Sequence, residues 1–147
     1  MPDMEKVTQE LFAYIDASPT AFHAVAEAAA RLEAAGYEKL EKEAEAGMVP
    51  GGRYYMTRND SSLIAFRIPK GEVRRFRIGA AHSDSPTFKV PEEPAVSGAG
   101  KTMRLSVEPY GGGVYRSWLD RPLSVAGRVL VRTAAGVEPP LVNVDRD

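Results

Sequence analysis

Hydrophobic positions near the start of the chain recur with the period of a helix. Between residues 4 and 17 the apolar side chains fall mostly three or four positions apart, which places them on one helical face. They are Val7, Leu11, Phe12, Tyr14 and Ile15. The pattern predicts a first helix over residues 4–17.

A second helical pattern begins at Ser18-Pro19-Thr20 and ends before Gly36. Proline fits the first turn of a helix, and the hydroxyl of Ser18 or Thr20 can accept a hydrogen bond from the free N–H groups there. Gly36 can adopt the left-handed conformation that often follows a helix end. We therefore expect a second helix that runs to about Ala35.

The period then changes to that of β-strands. Arg53–Arg58 and residues 62–68 alternate in polarity around a turn at residues 59–61, which predicts a hairpin. Residues 74–81 begin charged and end small and apolar. Their latter part predicts a buried central strand that ends at His82.

Short apolar runs between glycines and prolines predict an all-β part after Pro86. The predicted elements are a loop over residues 91–100, a half-buried strand at 103–107, a strand at 123–131, a turn at 133–136 and the start of a strand at Leu141–Val144. No closing element follows the last strand, so we expect the sequence to continue in a longer polypeptide. The fold class is mixed α/β, with a boundary between residues 1–91 and 92–147.

The composition is globular and excludes several classes of function. Of 147 residues, 44% are hydrophobic and 27% are charged, and the net charge of −1 argues against a nucleic-acid binder or a polybasic membrane-surface protein. The absence of cysteine excludes disulfide scaffolds, cysteine-ligated zinc and cysteine nucleophiles. His23 and His82 are the only histidines, so one copy of the chain cannot form a site of three histidines.

Neither a membrane span nor a secretory signal is predicted. No run reaches the ~18–20 apolar residues of a membrane-spanning helix, and the first residues lack the basic and apolar regions of a signal peptide. We therefore expect a cytoplasmic protein. The first 46 residues are acidic, including a charged stretch at 38–46, which is typical of a solvated face.

His82 and Asp84 are the strongest candidates for chemistry. Side chains two positions apart on an extended backbone face the same way, so the two can share a pocket. The imidazole could bind a metal through one nitrogen while the carboxylate accepts from the other N–H. A structural, hydrogen-bonded histidine explains the pair about as well. Because a catalytic zinc takes three protein ligands, the site is either not metallic or continues beyond residue 147.

Three other features each have an ordinary structural interpretation. His23 is either a partly buried histidine near a helix start or a residue with a substrate or interface role. Asp120 is either a bridging carboxylate or a turn residue that pairs with Arg121 or caps the backbone. The glycines at residues 111–113 lack the Lys and Ser/Thr of a phosphate loop, which favours a bend or a close backbone approach.

Four segments of the chain carry a resemblance to a known family. They are residues 12–25, 52–68, 79–90 and 110–131, and their most specific motifs are His-x-Asp-Ser-Pro and Tyr-Gly-Gly-Gly…Trp-x-Asp-Arg. In the same order, these segments resemble the aspartyl aminopeptidase family of zinc metallopeptidases, and the chain resembles the N-terminal third of a member.

The resemblance implies a fold, an assembly and an activity. Residues 1–91 would begin a catalytic α/β domain, and residues 92–147 would begin an inserted β-rich domain that forms dimers within a dodecamer. The implied reaction removes N-terminal Asp or Glu from peptides and uses two divalent metal ions, usually zinc. The implied partners are the peptide substrate, the rest of the polypeptide and further copies of the chain.

The resemblance also implies roles for individual residues. His82 matches the family's first metal ligand, and Asp84 matches the carboxylate that supports it and is the catalytic candidate. The remaining ligands and the general-base glutamate come later in the family than this chain extends. Asp120 matches the inserted domain and not the bridging aspartate. Ser83 and Pro122 replace the usual threonine and aspartate.

Two hypotheses follow. In the first, the chain is the N-terminal portion of a metalloaminopeptidase and, with part of the site, is inactive by itself. In the second, it is a non-catalytic assembly module or a cleaved segment that pairs with a partner chain carrying the rest. Whether the reading frame continues after Asp147 distinguishes the two.

Overall fold

The chain folds into helices and short strands that form two compact units. The computed structural model describes residues 3–41 and 47–144. The described residues up to Asp84 and from Ser124 onward form the first unit, and Ser85–Leu123 form the second. The mixture of helices and sheets confirms the predicted fold class. The division at residues 91 and 92 stays a prediction.

The elements follow one another along the chain in a simple order. They are α1 (Met4–Asp16), α2 (Ala21–Ala34), β1 (Glu38–Lys39), β2 (Arg53–Arg58), β3 (Ser62–Arg67), β4 (Thr87–Lys89), β5 (Ala95–Ser97), β6 (Met103–Leu105), β7 (Glu108–Tyr110), a 3₁₀ helix (Tyr115–Trp118), β8 (Val125–Arg128), β9 (Val131–Thr133), β10 (Gly136–Glu138) and β11 (Leu141–Val144). The predicted charged stretch at residues 38–46 lies partly outside the described residues.

Side-chain caps fix the starts of both helices. Asp3 accepts a hydrogen bond from the backbone N–H of Glu5 (3.1 Å), and Thr20 accepts one from the backbone N–H of His23 (3.4 Å). After α2 the backbone turns at Gly36 with a φ of +78°, which glycine adopts without steric strain. Both predicted helices, with the Thr20 cap and the Gly36 end, are confirmed.

The core of the first unit lies where α2 packs on the sheet β1–β2–β3. Within the described residues, its buried hydrophobic side chains are Ala24 and Val25 of α2 and Tyr54 and Tyr55 of β2. β2 pairs in parallel with β1 and antiparallel with β3. The register places Tyr54 opposite Phe66, with 5.9 Å between ring centroids.

A three-residue turn of Asn59, Asp60 and Ser61 joins β2 to β3, and the Ser61 N–H donates to the Arg58 carbonyl at 3.2 Å. Asn59 and Asp60 have positive φ, +53° and +52°. Turns with two such residues match the twist of the strands they connect, and Asn and Asp tolerate this conformation better than most residues. The predicted hairpin is therefore confirmed, together with its turn.

Tyr55 joins the sheet to α2 through its hydroxyl group as well as its ring. The hydroxyl donates a short hydrogen bond to the Glu33 carboxylate. This bond, together with burial, raises the pKa of Tyr55 to about 12, because an ionised phenol beside a carboxylate would lose the bond and add a like charge.

Two further strand pairs complete the first unit. β11 pairs antiparallel with β8, and β10 pairs antiparallel with β9 across the predicted turn at residues 133–136. The prediction of one strand over residues 123–131 is wrong, because the chain changes partner after Arg128. The apolar run continues through that change, so hydrophobicity alone does not reveal it.

In the second unit, an aromatic cluster packs beside closely approaching backbone. The ring of Phe88 lies 4.8 Å from that of Tyr115 and 5.5 Å from that of Trp118, between centroids. Gly111 has a φ of +75°, and a Cβ atom on Gly113 would lie 3.0 Å from the Tyr115 ring. The predicted close approach is confirmed at Gly111 and Gly113, whereas Gly112 has open space where a Cβ atom would lie.

The second unit contains two-stranded sheets that the sequence predicted only in part. β4 pairs with β7, and β5 pairs with β6. The loop predicted over residues 91–100 contains β5, a three-residue strand that is too short to show alternation. The strand predicted at residues 103–107 ends at Leu105 and is exposed instead of half-buried.

The buried central strand predicted before His82 is not formed. Residues 72–82 join no helix or strand of the part that the structure describes. Phe76 is 83% exposed and Ile78 is 89% exposed. A central strand needs a hydrogen-bonded neighbour on each side, and the described residues supply neither neighbour, so the prediction is wrong for this chain.

We expect Tyr55 to make stability fall at alkaline pH. An unfolded tyrosine ionises near its ordinary pKa of 10.0, whereas folded Tyr55 stays neutral to about 12. The stabilisation from neutral Tyr55 is therefore complete below pH 10 and lost as pH rises toward 12. Thermal unfolding of Tyr55→Phe should show a weaker decline over this range than that of the unaltered protein. Equal declines in the two proteins would contradict the assignment.

Candidate metal site

The structure brings His82 and Asp84 together. Nδ1 of His82 lies 2.9 Å from Oδ1 of Asp84, and the imidazole is 91% exposed whereas Asp84 is 38% exposed. A carboxylate is only an acceptor, so Nδ1 carries the proton in this contact and the lone pair of neutral histidine lies on Nε2. The pair therefore presents an oriented nitrogen ligand to solvent.

Ser83, between these two residues, points to a different neighbour. Its hydroxyl donates a 2.7 Å hydrogen bond to the backbone carbonyl of Ser61, the last residue of the β2–β3 turn. The contact joins the His82–Asp84 pair to the paired hairpin. Sequence analysis missed this contact, because a serine in a loop gives no indication of which distant carbonyl it will contact.

The His82–Asp84 pair fits one ligand position of a metal centre. Metal-bound histidines usually donate their second N–H to a carboxylate, as His82 does to Asp84. Over residues 3–41 and 47–144, no group of three or more His, Asp or Glu side chains could hold an ion. The described residues therefore form no complete metal centre.

His23 lies apart from this pair, near the start of α2. Its Nδ1 is 2.8 Å from the Thr20 hydroxyl, and burial lowers the pKa of the imidazole. The hydroxyl already accepts from the His23 backbone N–H, so its own hydrogen is free to donate to Nδ1. His23 matches the satisfied, partly buried interpretation.

Asp120 lies in the second unit, in the turn after the 3₁₀ helix, with a φ of +59°. Aspartate tolerates this left-handed conformation, so the position agrees with the turn interpretation. The described residues provide no cluster of metal-binding side chains that includes Asp120.

Comparisons with known proteins establish the family. The model for the family described as aminopeptidase I zinc metalloprotease (M18) matches residues 14–146. The match covers most of the chain, so the chain belongs to the M18 family of peptidases. The predicted resemblance is confirmed.

Individual relatives match only over part of their own length. A probable M18 family aminopeptidase 2 from Pseudomonas putida is 46% identical over 135 residues, which cover 90% of this chain and 31% of that protein. A similar protein from Ectopseudomonas mendocina is 45% identical, with 95% and 33% covered. The chain thus spans about a third of the length of the curated relatives it matches.

Solved structures share the fold over the same portion. Chaetomium thermophilum mApe1 superimposes with a TM-score of 0.83 at 34% identity, covering 96% of this chain and 33% of that one. The S. cerevisiae mApe1 dodecamer superimposes with a TM-score of 0.80 at 29% identity, covering 95% of this chain and 33% of that one.

Among the described residues, no helix has the length and apolar character needed to cross a membrane.

We expect the two histidines to occupy opposite neutral tautomers. Long-range ¹H–¹⁵N spectra at alkaline pH should show His82 protonated on Nδ1, because Asp84 accepts there, and His23 protonated on Nε2, because Thr20 donates to its Nδ1. Asp84→Ala should let His82 populate both tautomers and leave His23 unchanged. An unchanged His82 signal in that variant would contradict the observed contact.

Proposed function

We propose that the protein containing this chain is an aminopeptidase that removes acidic N-terminal residues from peptides by two-metal hydrolysis. In this proposal His82 is a ligand to one metal ion and Asp84 orients His82. The observation that carries the proposal is the 2.9 Å His82–Asp84 contact in a chain that belongs to the M18 family. The family description supports zinc as the metal.

The chain's own residues would prepare the ligand. Asp84 holds the proton on Nδ1 of His82, which directs the Nε2 lone pair outward, and its negative charge makes the imidazole a stronger donor. The high exposure of His82 leaves Nε2 accessible to a metal ion. The other ligands of that ion would come from other parts of the protein. When bound, a metal pair polarises a carbonyl group and lowers the pKa of water.

Domain organisation and assembly are part of the same proposal. We place residues 1–91 in the catalytic α/β domain and residues 92–147 in an inserted β-rich domain that mediates contacts between copies. The similarity to mApe1 of S. cerevisiae, whose structure is that of a dodecamer, supports a homo-oligomer. Peptides with acidic N-termini, further copies of the protein and the rest of the polypeptide are the proposed partners.

The function is tested first on the natural protein that contains this sequence. Purified protein loaded with zinc is assayed on p-nitroanilides of Asp, Glu, Leu and Lys. Hydrolysis of the Asp and Glu compounds in preference to the other two is the expected result. Metal-dependent cleavage of Leu alone would retain the aminopeptidase assignment and overturn the acidic specificity. No cleavage of any of the four would support a non-catalytic assembly module.

His82→Ala should abolish hydrolysis in the same protein. The change removes a ligand from a site whose geometry depends on every ligand. His23→Ala is the matched control, since His23 is the other histidine of the chain and contacts Thr20 instead. The test measures the steady-state kinetics and the bound metal of both variants. Near-native turnover by His82→Ala would exclude it as a ligand.

Asp84→Asn should weaken the site without unfolding the protein. The substitution keeps the shape of the side chain but removes the charge that supports His82, and such supporting groups typically contribute about 10–100-fold to metal affinity or activity. We expect a loss in this range, measured by metal competition and by kcat/KM, with an unchanged circular dichroism spectrum. Unchanged metal affinity and unchanged kcat/KM would show that Asp84 does not support a metal ligand.

A further inference from the structure

Ser83 lies at a bend between His82 and Asp84 and contacts a different neighbour from theirs. The His82 and Asp84 side chains contact each other, with 2.9 Å between Nδ1 and Oδ1, and the Ser83 hydroxyl takes no part in that contact. Residues 82–84 are called the metal-binding loop below. Its hydroxyl reaches the backbone carbonyl of Ser61 at 2.7 Å in a partly buried contact. Ser83 thus holds the backbone between the ligand and its supporting carboxylate.

This contact matters because regular pairing does not fix the segment before it. Residues 72–82 belong to no helix or strand within the described parts of the chain. The position of His82 therefore depends on its immediate side-chain contacts. The Ser83–Ser61 hydrogen bond joins the segment to the paired hairpin β2–β3, 22 residues earlier in the sequence.

The acceptor carbonyl is itself held in place. Asn59 and Asp60 form a compact turn, and the Thr57 hydroxyl donates to the Asp60 carboxylate at 3.2 Å. From β8, the Arg128 guanidinium donates to the Asn59 backbone carbonyl at 3.0 Å and to its side-chain oxygen at 3.4 Å. The same guanidinium lies 4.1 Å above the ring of Phe22 in α2.

We propose that Ser83 is a positioning residue: its hydrogen bond to Ser61, on a turn fixed by Arg128, sets the direction in which His82 presents Nε2. This inference rests on the proposed metal-binding function and extends it to a residue outside the ligand set. A shift of even ~1 Å in a supporting segment can cost about 100-fold in rate, so a single hydrogen bond behind the ligand has a measurable consequence.

Serine and threonine both carry a hydroxyl donor at the same distance from the backbone. A threonine at position 83 would keep the group that the contact with Ser61 requires and add only a methyl group. Ser83→Thr is accordingly the conservative variant, and Ser83→Ala is the variant that removes the contact.

The experiment compares three variants of the natural protein that contains this chain. They are Ser83→Ala, Ser83→Thr and, as the matched control, Ser62→Ala. The control loses a serine hydroxyl from the same hairpin, but that hydroxyl donates to the Arg58 carbonyl and not to the metal-binding loop. Zinc affinity is measured by chelator competition, and kcat and KM are measured separately on an aspartyl p-nitroanilide.

Ser83→Ala should weaken zinc affinity about 10-fold, as loss of a supporting contact does, and should lower kcat with little change in KM. Ser83→Thr and Ser62→Ala should stay within about twofold of the unaltered protein. Wild-type zinc affinity in Ser83→Ala, or an equal loss in Ser83→Thr, would overturn the inference. An unaltered protein that neither binds zinc nor cleaves the substrate would overturn the proposed function and this inference with it.

Arg128→Gln tests the same contacts if Ser83→Ala does not fold. It removes the guanidinium from Asn59 and leaves the metal-binding loop intact. Because changes along such a chain of contacts alter the coupling between its ends, zinc affinity should fall at least about twofold. An unchanged affinity would show that the turn does not position His82.

Discussion

The antiparallel pairing of β2 with β3 is the constraint on which the first unit depends. It places Tyr55 against α2, where its hydroxyl donates to Glu33, and Tyr54 beside Phe66 on the other face of the sheet. It also closes the turn whose last residue, Ser61, accepts from Ser83. The same hairpin therefore determines the hydrophobic packing and contacts the loop that carries His82 and Asp84. A register shift of one residue would exchange the faces of every side chain on it.

Local patterns predicted the helices and the hairpin well, for physical reasons. These elements depend on residues only a few positions apart, so the local sequence determines them. They are the Thr20 cap, the turn at Gly36 and the turn at Asn59 and Asp60. The His82–Asp84 contact was also predicted, from the rule that side chains two positions apart on an extended backbone share a face. The assignment of this pair to a metal site is a proposal that rests on the resemblance to a family and on no local pattern.

The predictions that failed depend on partners distant in sequence. Residues 123–131 form a continuous apolar run, yet their pairing divides between β11 and β10. The apolar stretch before His82 has the composition of a central strand and no neighbour among the described residues. The Ser83–Ser61 contact was missed for the same reason. A serine hydroxyl can be recognised as a donor from the sequence, but its acceptor, 22 residues away, cannot.

The two hydrogen bonds at the hairpin turn differ in the length of chain that each must close. Ser83 reaches back over 22 residues to Ser61, whereas Arg128 reaches over 69 residues to Asn59. Loop-closure entropy makes the longer contact costlier by about 1 kcal/mol, and a hairpin forms in roughly microseconds. The turn is therefore held by one contact that closes a short loop and by a second, from β8, that closes a loop about three times as long, so loss of the β8 contact would leave the shorter loop closed.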